Sequence, residues 1–422
     1  MRQDHKSLLI KMFDAAIEAA DPLAALKPHL PEKPKGRTVV IGAGKGAAQM
    51  GVAFEKLWDG PISGTIVTRY GYGATCQHLN VLEASHPVPD EAGLAASAGL
   101  FDAVQGLGED DLVVALICGG GSSLLPAPPC GLTLADEQAL NEALLASGAP
   151  IGAMNAIRKH CSGIKGGRLA QAAFPARVVS LIVSDVPGDD PAQVASGPTV
   201  PDGVSLEDAL DVIKSLRIEL PSAITAHLQN DAARAPSPSD KAFSCNTVKV
   251  VASAGISLAA AEQVAREAGY NTAVLSDAIE GEARDIGLMH AALVKQILAK
   301  DAPFKKPAII LSGGETTVTL RAKGRGGRNT EFLLSFANAI EGCEGITALA
   351  ADTDGIDGSE DNAGAFADAR SITRIREGGV DPKEALALND AWGAFDAAGD
   401  IFMTGPTGTN VNDFRAIIVE DA

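Results

Sequence analysis

The stretch TVVIGAGKGAA, residues 38–48, decides the fold. Thr38 to Ile41 is a short apolar run, mostly β-branched. Gly42 to Gly46 is a glycine turn carrying Lys45, and a helical spacing follows through Leu57. The same order of strand, loop and helix recurs at Gly64 to Arg69, at Leu112 to Cys118 and at Arg177 to Val183. Strands alternating with helices imply a mainly parallel sheet covered on both faces, so the predicted class is α/β with a Rossmann-like N-terminal domain.

Upstream of this stretch, residues 6–26 place Leu8, Leu9, Met12, Phe13 and Ile17 at helical spacing, and a proline-broken loop spans Lys27 to Lys35. Downstream, Gln229 to Asp240, with Pro236 and Pro238, reads as a linker. Beyond it Val248 to Ala252 begins another strand and helix unit, and Pro307 to Leu311 runs into Ser312 to Glu315. The expected division is a first domain over 1–235 and a second, smaller α/β domain over 236–422.

The composition limits the partners. Against 35 basic side chains stand 53 acidic ones, a formal charge of −18, so the global field repels phosphate backbones and anionic membrane surfaces. Aromatics at 4% leave few platforms for base stacking. Neither nucleic acid nor a membrane is an expected partner. The six cysteines lie far apart without a Cys-x-x-Cys pair, and the N-terminus lacks an apolar core with a cleavage site, so the expected compartment is the cytoplasm. An anionic small molecule would need locally concentrated basic groups.

Several loops supply them. Gly44 and its neighbours let backbone approach a ligand, and Lys45 adds a full charge; a tight structural turn is the plain alternative. The spacing is not that of a P-loop, and strand two ends at Arg69 without the acidic residue that grips a dinucleotide ribose. Gly119, Gly120, Gly121, Ser122 and Ser123 follow an apolar strand and suit a nest of N–H groups around nucleotide phosphates, or a simple serine cap. Lys165, between glycines at 163–167, is a further candidate for the nucleotide, or part of a solvated basic loop.

Ser184, Asp185 and Asp189 sit in a loop directly after a strand, where open α/β sheets hold ligands. Asp189 is the expected general base and a metal ligand, with Ser184 and Asp185 against the substrate; an aspartate-rich turn that caps a helix is the plain alternative. Lys323 to Asn329 concentrates positive charge in an acidic protein. Arg325 is its candidate catalytic residue, and Arg328 and Asn329 are candidates for substrate. Asp352 and Asp354 begin an acidic glycine loop suited to Mg²⁺ or to an arginine clamp, and Thr404 to Asn410 forms a polar one.

Taken together, Gly42 to Gly46, Gly119 to Ser123, Asn155 to Arg168, Ser184 to Pro198, Ser312 to Glu315, Gly324 to Glu331, Asp352 to Gly358 and Thr404 to Asn410 resemble the glycerate 2-kinases that pair a DUF4147 domain with a C-terminal MOFRL domain. The resemblance covers nearly the whole chain and places the MOFRL-type region over residues 305–418. It implies an enzyme in which Lys45, Arg325 and Asp189 carry the family's important lysine, arginine and aspartate. The implied reaction is transfer of the γ-phosphoryl group of ATP, with Mg²⁺, to the 2-hydroxyl of D-glycerate. The expected partners are thus a hydroxy acid and a nucleotide, and a homodimer is left open. Some relatives in tartrate operons carry the label hydroxypyruvate reductase, which keeps an NAD(P)H-dependent reductase as the alternative. Ala252 to Gly255 departs from the sequence common among relatives, and it bears on substrate preference.

Overall fold

A computed structural model describes residues 1–421. The chain divides into two compact units, Pro22–Val251 and Met1–Asp21 with Ala252–Ala422. The change-over therefore falls at residue 252, not in the proline-rich stretch near 235. That stretch is held inside the first unit, where Arg234 pairs with Glu207 and Asp231.

The first unit is built on a sheet of six strands: β1 (Thr38–Ala43), β2 (Ser63–Arg69), β3 (Asn80–Ala84), β4 (Leu112–Cys118), β5 (Arg177–Val183) and β6 (Thr247–Ala252). Their spatial order is β3-β2-β1-β4-β5-β6, and the pairings from β3 through β5 are all parallel. Every residue of β1 and β4 is buried, which is why both read as unbroken apolar runs. One face packs Val39, Ile41, Val113 and Ile117 against Ala96 and Leu100 of the helix Glu91–Val104. The sequence shows no clear sign of β3, because this edge strand is short, mixes Asn80 and Glu83 with apolar residues, and is largely accessible.

The second unit holds β7 (Asn271–Val274), β8 (Ala308–Gly314), β9 (Ile346–Asp352), β10 (Gly364–Asp368), β11 (Ile401–Phe402) and β12 (Asp413–Val419) in the order β11-β10-β9-β12-β8-β7. Only β7 and β8 pair in parallel; the other pairings are antiparallel. Both faces are buried, and the side chains alternate between them. Ile310, Ile417 and Val419 pack with Phe332 and Phe336, while Ile309, Leu311 and Ile418 pack with Leu9, Met12 and Phe13.

Those last residues belong to the opening helix, Gln3–Ala20, and explain why the N-terminus folds with the second unit. Each such side chain stabilises the packing by roughly 1.5–3 kcal/mol on burial. The helix predicted over 6–26 is broken at Asp21, whose ψ of 130° leaves the helical region ahead of Pro22.

Candidate active site

In the first unit β1 and β4 are neighbours from which the chain continues in opposite directions across the sheet, so the loops at their carboxyl ends flank the topological switch point. The two loops are joined by backbone. The Lys45 N–H donates to the Gly119 carbonyl at 2.9 Å, and the Gly46 N–H to the Cys118 sulfur at 3.1 Å. Gly44 donates to Val67 at 3.2 Å and has a φ of +133°; a β-carbon there would strike the Cys118 carbonyl. The amides of Gly44, Lys45 and Gly46 are thus committed to neighbouring strands. Gly44, expected to cradle a phosphate, therefore has no amide left for one, and the turn projects the Lys45 side chain over Gly120.

The glycines after β4 are different. The N–H groups of Gly120, Gly121 and Ser122 donate to no loop or turn carbonyl among the described residues. Each glycine is also closely covered by a different group. A β-carbon would come 1.8 Å from Asp185 Oδ2 at Gly119, 2.9 Å from Lys45 Cγ and 3.2 Å from His86 Nε2 at Gly120, and 2.6 Å from the Ala195 methyl at Gly121. The glycines are what lets a lysine, an imidazole and a carboxylate converge on one turn. Ser123 donates to the Gly120 carbonyl at 3.2 Å. Ser122 and Ser196 share a hydrogen bond of 2.7 Å, and Ser196 donates onward to Asn155 at 3.1 Å.

The loop after β5 closes this arrangement with unusual backbone. Asp189, Ala195 and Ser196 have φ of 54°, 53° and 58°, a left-handed conformation that costs a non-glycine residue on the order of 1 kcal/mol or more. Such strain persists where surrounding structure imposes it. Asp185 and Asp189 are half-buried, and Ser184 is buried with its hydroxyl 3.4 Å from the Val186 carbonyl. Burial pushes the Cys118 thiol up to about 12, so it packs as an inert neutral group.

Lys165 does not join the nest. It is buried, donating to Glu137 at 2.7 Å and to the Leu125 carbonyl at 3.0 Å, and so it is a structural ion pair that offers nothing to a nucleotide.

In the second unit the loops after β8 and β9 and the start of β12 interlock around arginines. Arg328 donates to Asp413 at 2.6 Å, to Asp352 at 2.8 Å and to Glu315 at 2.9 Å. Burial works against its charge, but Asp413 and Asp352 outweigh it and hold the guanidinium more firmly protonated than usual. Asn329 is buried and donates to Asp413 at 2.8 Å. Both were expected to meet substrate, and both are instead committed to carboxylates within the unit. Asp357 accepts from the N–H groups of Asn329 and Thr330 at 2.9 and 2.8 Å and caps the helix Arg328–Ile340.

Arg325 remains available. Its guanidinium lies 4.3 Å from the centre of the Trp392 ring and 3.6 Å from Asp390, and it lines a shallow pocket of about 320 Å³ with Lys323 and Leu388. Glu331, adjacent to this loop, secures Arg284 rather than Arg325.

Asp352 and Asp354 do not form an open metal site. One Asp352 oxygen accepts from Arg328, the other from the Asp354 N–H at 3.0 Å, and burial pushes this carboxyl up to about 8. Asp354 turns to the Ile356 N–H at 2.8 Å. Asp189, the third expected ligand, belongs to the other unit. No group of three or more His, Cys, Asp or Glu among the described residues suits a metal ion. Of the two uses read from the sequence, the arginine clamp is the one the structure contains.

Four residues of these clusters escaped the sequence reading. His86 arrives beside Lys45 only because β3 pairs with β2, and β3 was invisible, while Arg69 was read only as the end of a strand. Asp413 and Arg415 lie in a strand that reads as apolar. There Arg415 is fully buried, pairs with Asp413 and stacks 5.0 Å from the Phe332 ring centre.

Comparison with known proteins gives a consistent picture. A family model described as "Domain of unknown function (DUF4147)" matches residues 8–229, and one described as "MOFRL family" matches residues 308–413. The chain is 51% identical over 419 residues to an Agrobacterium vitis protein named "Putative hydroxypyruvate reductase", covering 98% of this chain and 94% of that one. It is 39% identical over 410 residues to the D-glycerate 2-kinase of Thermotoga maritima, covering 97% of each. A crystal structure of glycerate kinase from Thermotoga maritima superposes with a TM-score of 0.90 at 37% identity, covering 99% of this chain and all of that one. The chain belongs to the DUF4147 family, in the two-part arrangement that ends in a MOFRL segment.

Proposed function

We propose that the protein is an ATP-dependent glycerate 2-kinase that converts D-glycerate to 2-phosphoglycerate. The observation that carries the proposal is the convergence of Lys45, Asp185 and the uncommitted amides of Gly120 to Ser122 on one turn at the switch point. Phosphoryl transfer asks the protein mainly to position two reactants and to offset charge spreading over the γ-phosphoryl oxygens. Amides and a lysine at one turn answer the second demand. A carboxylate beside them answers the first.

In this reading the acceptor 2-hydroxyl oxygen bonds to the γ-phosphorus as the bond from that phosphorus to the β,γ-bridging oxygen breaks. ADP leaves, and the hydroxyl proton passes to Asp189, with Asp185 orienting the hydroxyl. Gly119 to Ser123 hold nucleotide phosphates. Arg325, stacked on Trp392 in the second unit, is a further candidate guanidinium for an anion. Mg²⁺ would accompany the nucleotide as its counter-ion.

A second reading, reduction of hydroxypyruvate by NAD(P)H, is favoured by the name of the Agrobacterium vitis relative. Against it stands Arg69 at the end of β2, where a dinucleotide site places an acidic residue for the ribose. Two assays separate the readings. With D-glycerate, ATP and Mg²⁺ the wild type should form ADP, and Lys45→Ala should lose at least a hundredfold in kcat/KM. Consumption of NADH or NADPH with hydroxypyruvate, and no ADP above the glycerate-free background, would sink the kinase.

A further inference from the structure

We infer that Lys45, Arg69 and His86 form one subsite for an oxyanion of the substrates, with Arg69 and His86 as direct ligands. The inference rests on the switch-point site described above and not on the identity of the reaction. The three side chains come from the carboxyl ends of adjacent parallel strands: Lys45 from the loop after β1, Arg69 from the last position of β2, and His86 from the second residue beyond β3. Parallel pairing sets all three at the same edge of the sheet.

The distances bring Lys45 and His86 to one point. A β-carbon at Gly120 would meet Lys45 Cε at 3.0 Å and His86 Nε2 at 3.2 Å, so both polar ends border the same small space above a turn whose amides are uncommitted. Arg69, at the end of β2, stacks on Tyr72, 3.8 Å from the ring centre. Burial disfavours the charged imidazole, and Lys45 and Arg69 do so further.

Clustered cations repel one another and lose hydration, so proteins normally balance them with carboxylates. This chain has carboxylates in excess, yet among the described residues neither Lys45 nor Arg69 forms an ion pair. The nearby Asp90 is already taken: it accepts from Tyr70, Ser85 and Gly93. Asp185 lies on Gly119, one residue along from the cationic group. The sign of the potential thus changes across a single peptide. That layout suits a ligand carrying an oxyanion a few ångströms from a hydroxyl. Two sources share the chemistry: the carboxylate of the hydroxy acid and a phosphate of the nucleotide.

Direct binding tests the subsite without requiring turnover. Calorimetry would measure D-glycerate and inorganic tripolyphosphate separately on the full chain, for wild type, His86→Asn and Arg69→Gln, with circular dichroism confirming that each is folded. One probe should bind wild type and lose about tenfold or more in affinity in both variants, because each removes a charge-assisted hydrogen bond. Loss for glycerate assigns the carboxylate, and loss for tripolyphosphate assigns the phosphate. Dissociation constants unchanged for both probes, or no binding of either to wild type, would overturn the subsite. The kinase reading is judged separately by ADP formation.

Discussion

The Lys45 side chain lies along the backbone of Gly120, so closely that a β-carbon at that glycine would come 2.9 Å from Cγ and 3.0 Å from Cε. Gly120 also has a φ of +79°, so alanine there is penalised twice. Gly120→Ala should lose about 1–3 kcal/mol of stability from the backbone alone, and displacing the lysine should cut kcat/KM at least tenfold. Gly131→Ala is the control. Its φ of +92° imposes the same backbone penalty, but nothing lies within 4 Å of the new methyl. Thermal melts should show comparable losses in the two variants, and turnover should fall only in the first.

The buried Lys165–Glu137 pair predicts an asymmetric response. Lys165→Met leaves the Glu137 charge buried without a counter-ion and should cost about 3–5 kcal/mol in urea denaturation. Adding Glu137→Leu should recover most of that loss. The nucleotide KM of both variants should stay within about twofold of wild type, which a phosphate-binding lysine would not allow.

The sequence disclosed the first unit better than the second for a physical reason. Strands β1, β4 and β5 are central and covered on both faces, so they read as largely apolar runs, with Ser180 the polar break inside β5. Edge strand β3 carries Asn80 and Glu83 and has no such run. With it went His86, which is adjacent to Lys45 in space but 41 positions away in sequence. Spacing also could not tell which charged groups are spent on each other. Arg325 and Arg328 stand in one basic run, yet Arg328 is gripped by Asp352 and Asp413 from β9 and β12, while Arg325 stacks on Trp392. Those partners lie dozens of residues away, and only the antiparallel register of the second sheet assembles them.

That register makes Asp413 the keystone of the second unit. Its carboxylate accepts from Arg328, Asn329 and Arg415, and Arg415 is fully buried. Asp413→Asn removes the charge between two guanidiniums and should destabilise the protein by about 3–5 kcal/mol. Glu315→Gln, at the exposed end of the same arginine, should change stability by less than about 1 kcal/mol. Equal losses in denaturant titrations would show that the charge balance is shared along the cluster and not concentrated at Asp413.

Acid should expose a different anchor. Asp111 accepts from both the N–H and the guanidinium of Arg37 and from the Gly108 N–H, and the Arg37 side chain foremost lowers its carboxyl to about 2. A carboxyl depressed by folding contributes stability above its unfolded pKa of about 4, and that contribution is lost as the pH falls through the folded value. Arg37 is 60% exposed, so solvent screening keeps the contribution small. The stability difference between wild type and Asp111→Asn should therefore be constant above about pH 5 and shrink steadily towards pH 2. A difference that grows in acid would contradict the pairing.

Asp189 allows chemistry to be separated from conformation. Its φ of 54° is one that glycine adopts freely, that aspartate tolerates and that alanine resists. Asp189→Gly should therefore be more stable than Asp189→Ala by about 1 kcal/mol, a comparison in which both variants lack the carboxylate. If the aspartate is present only to make the turn, glycine will preserve turnover and alanine will impair it. If its carboxylate takes the hydroxyl proton, kcat should fall at least a hundredfold in both variants with the nucleotide KM little changed. The ranking in stability would then be uncoupled from the loss of activity, because the strained backbone serves to hold a base where an unstrained residue would not place it.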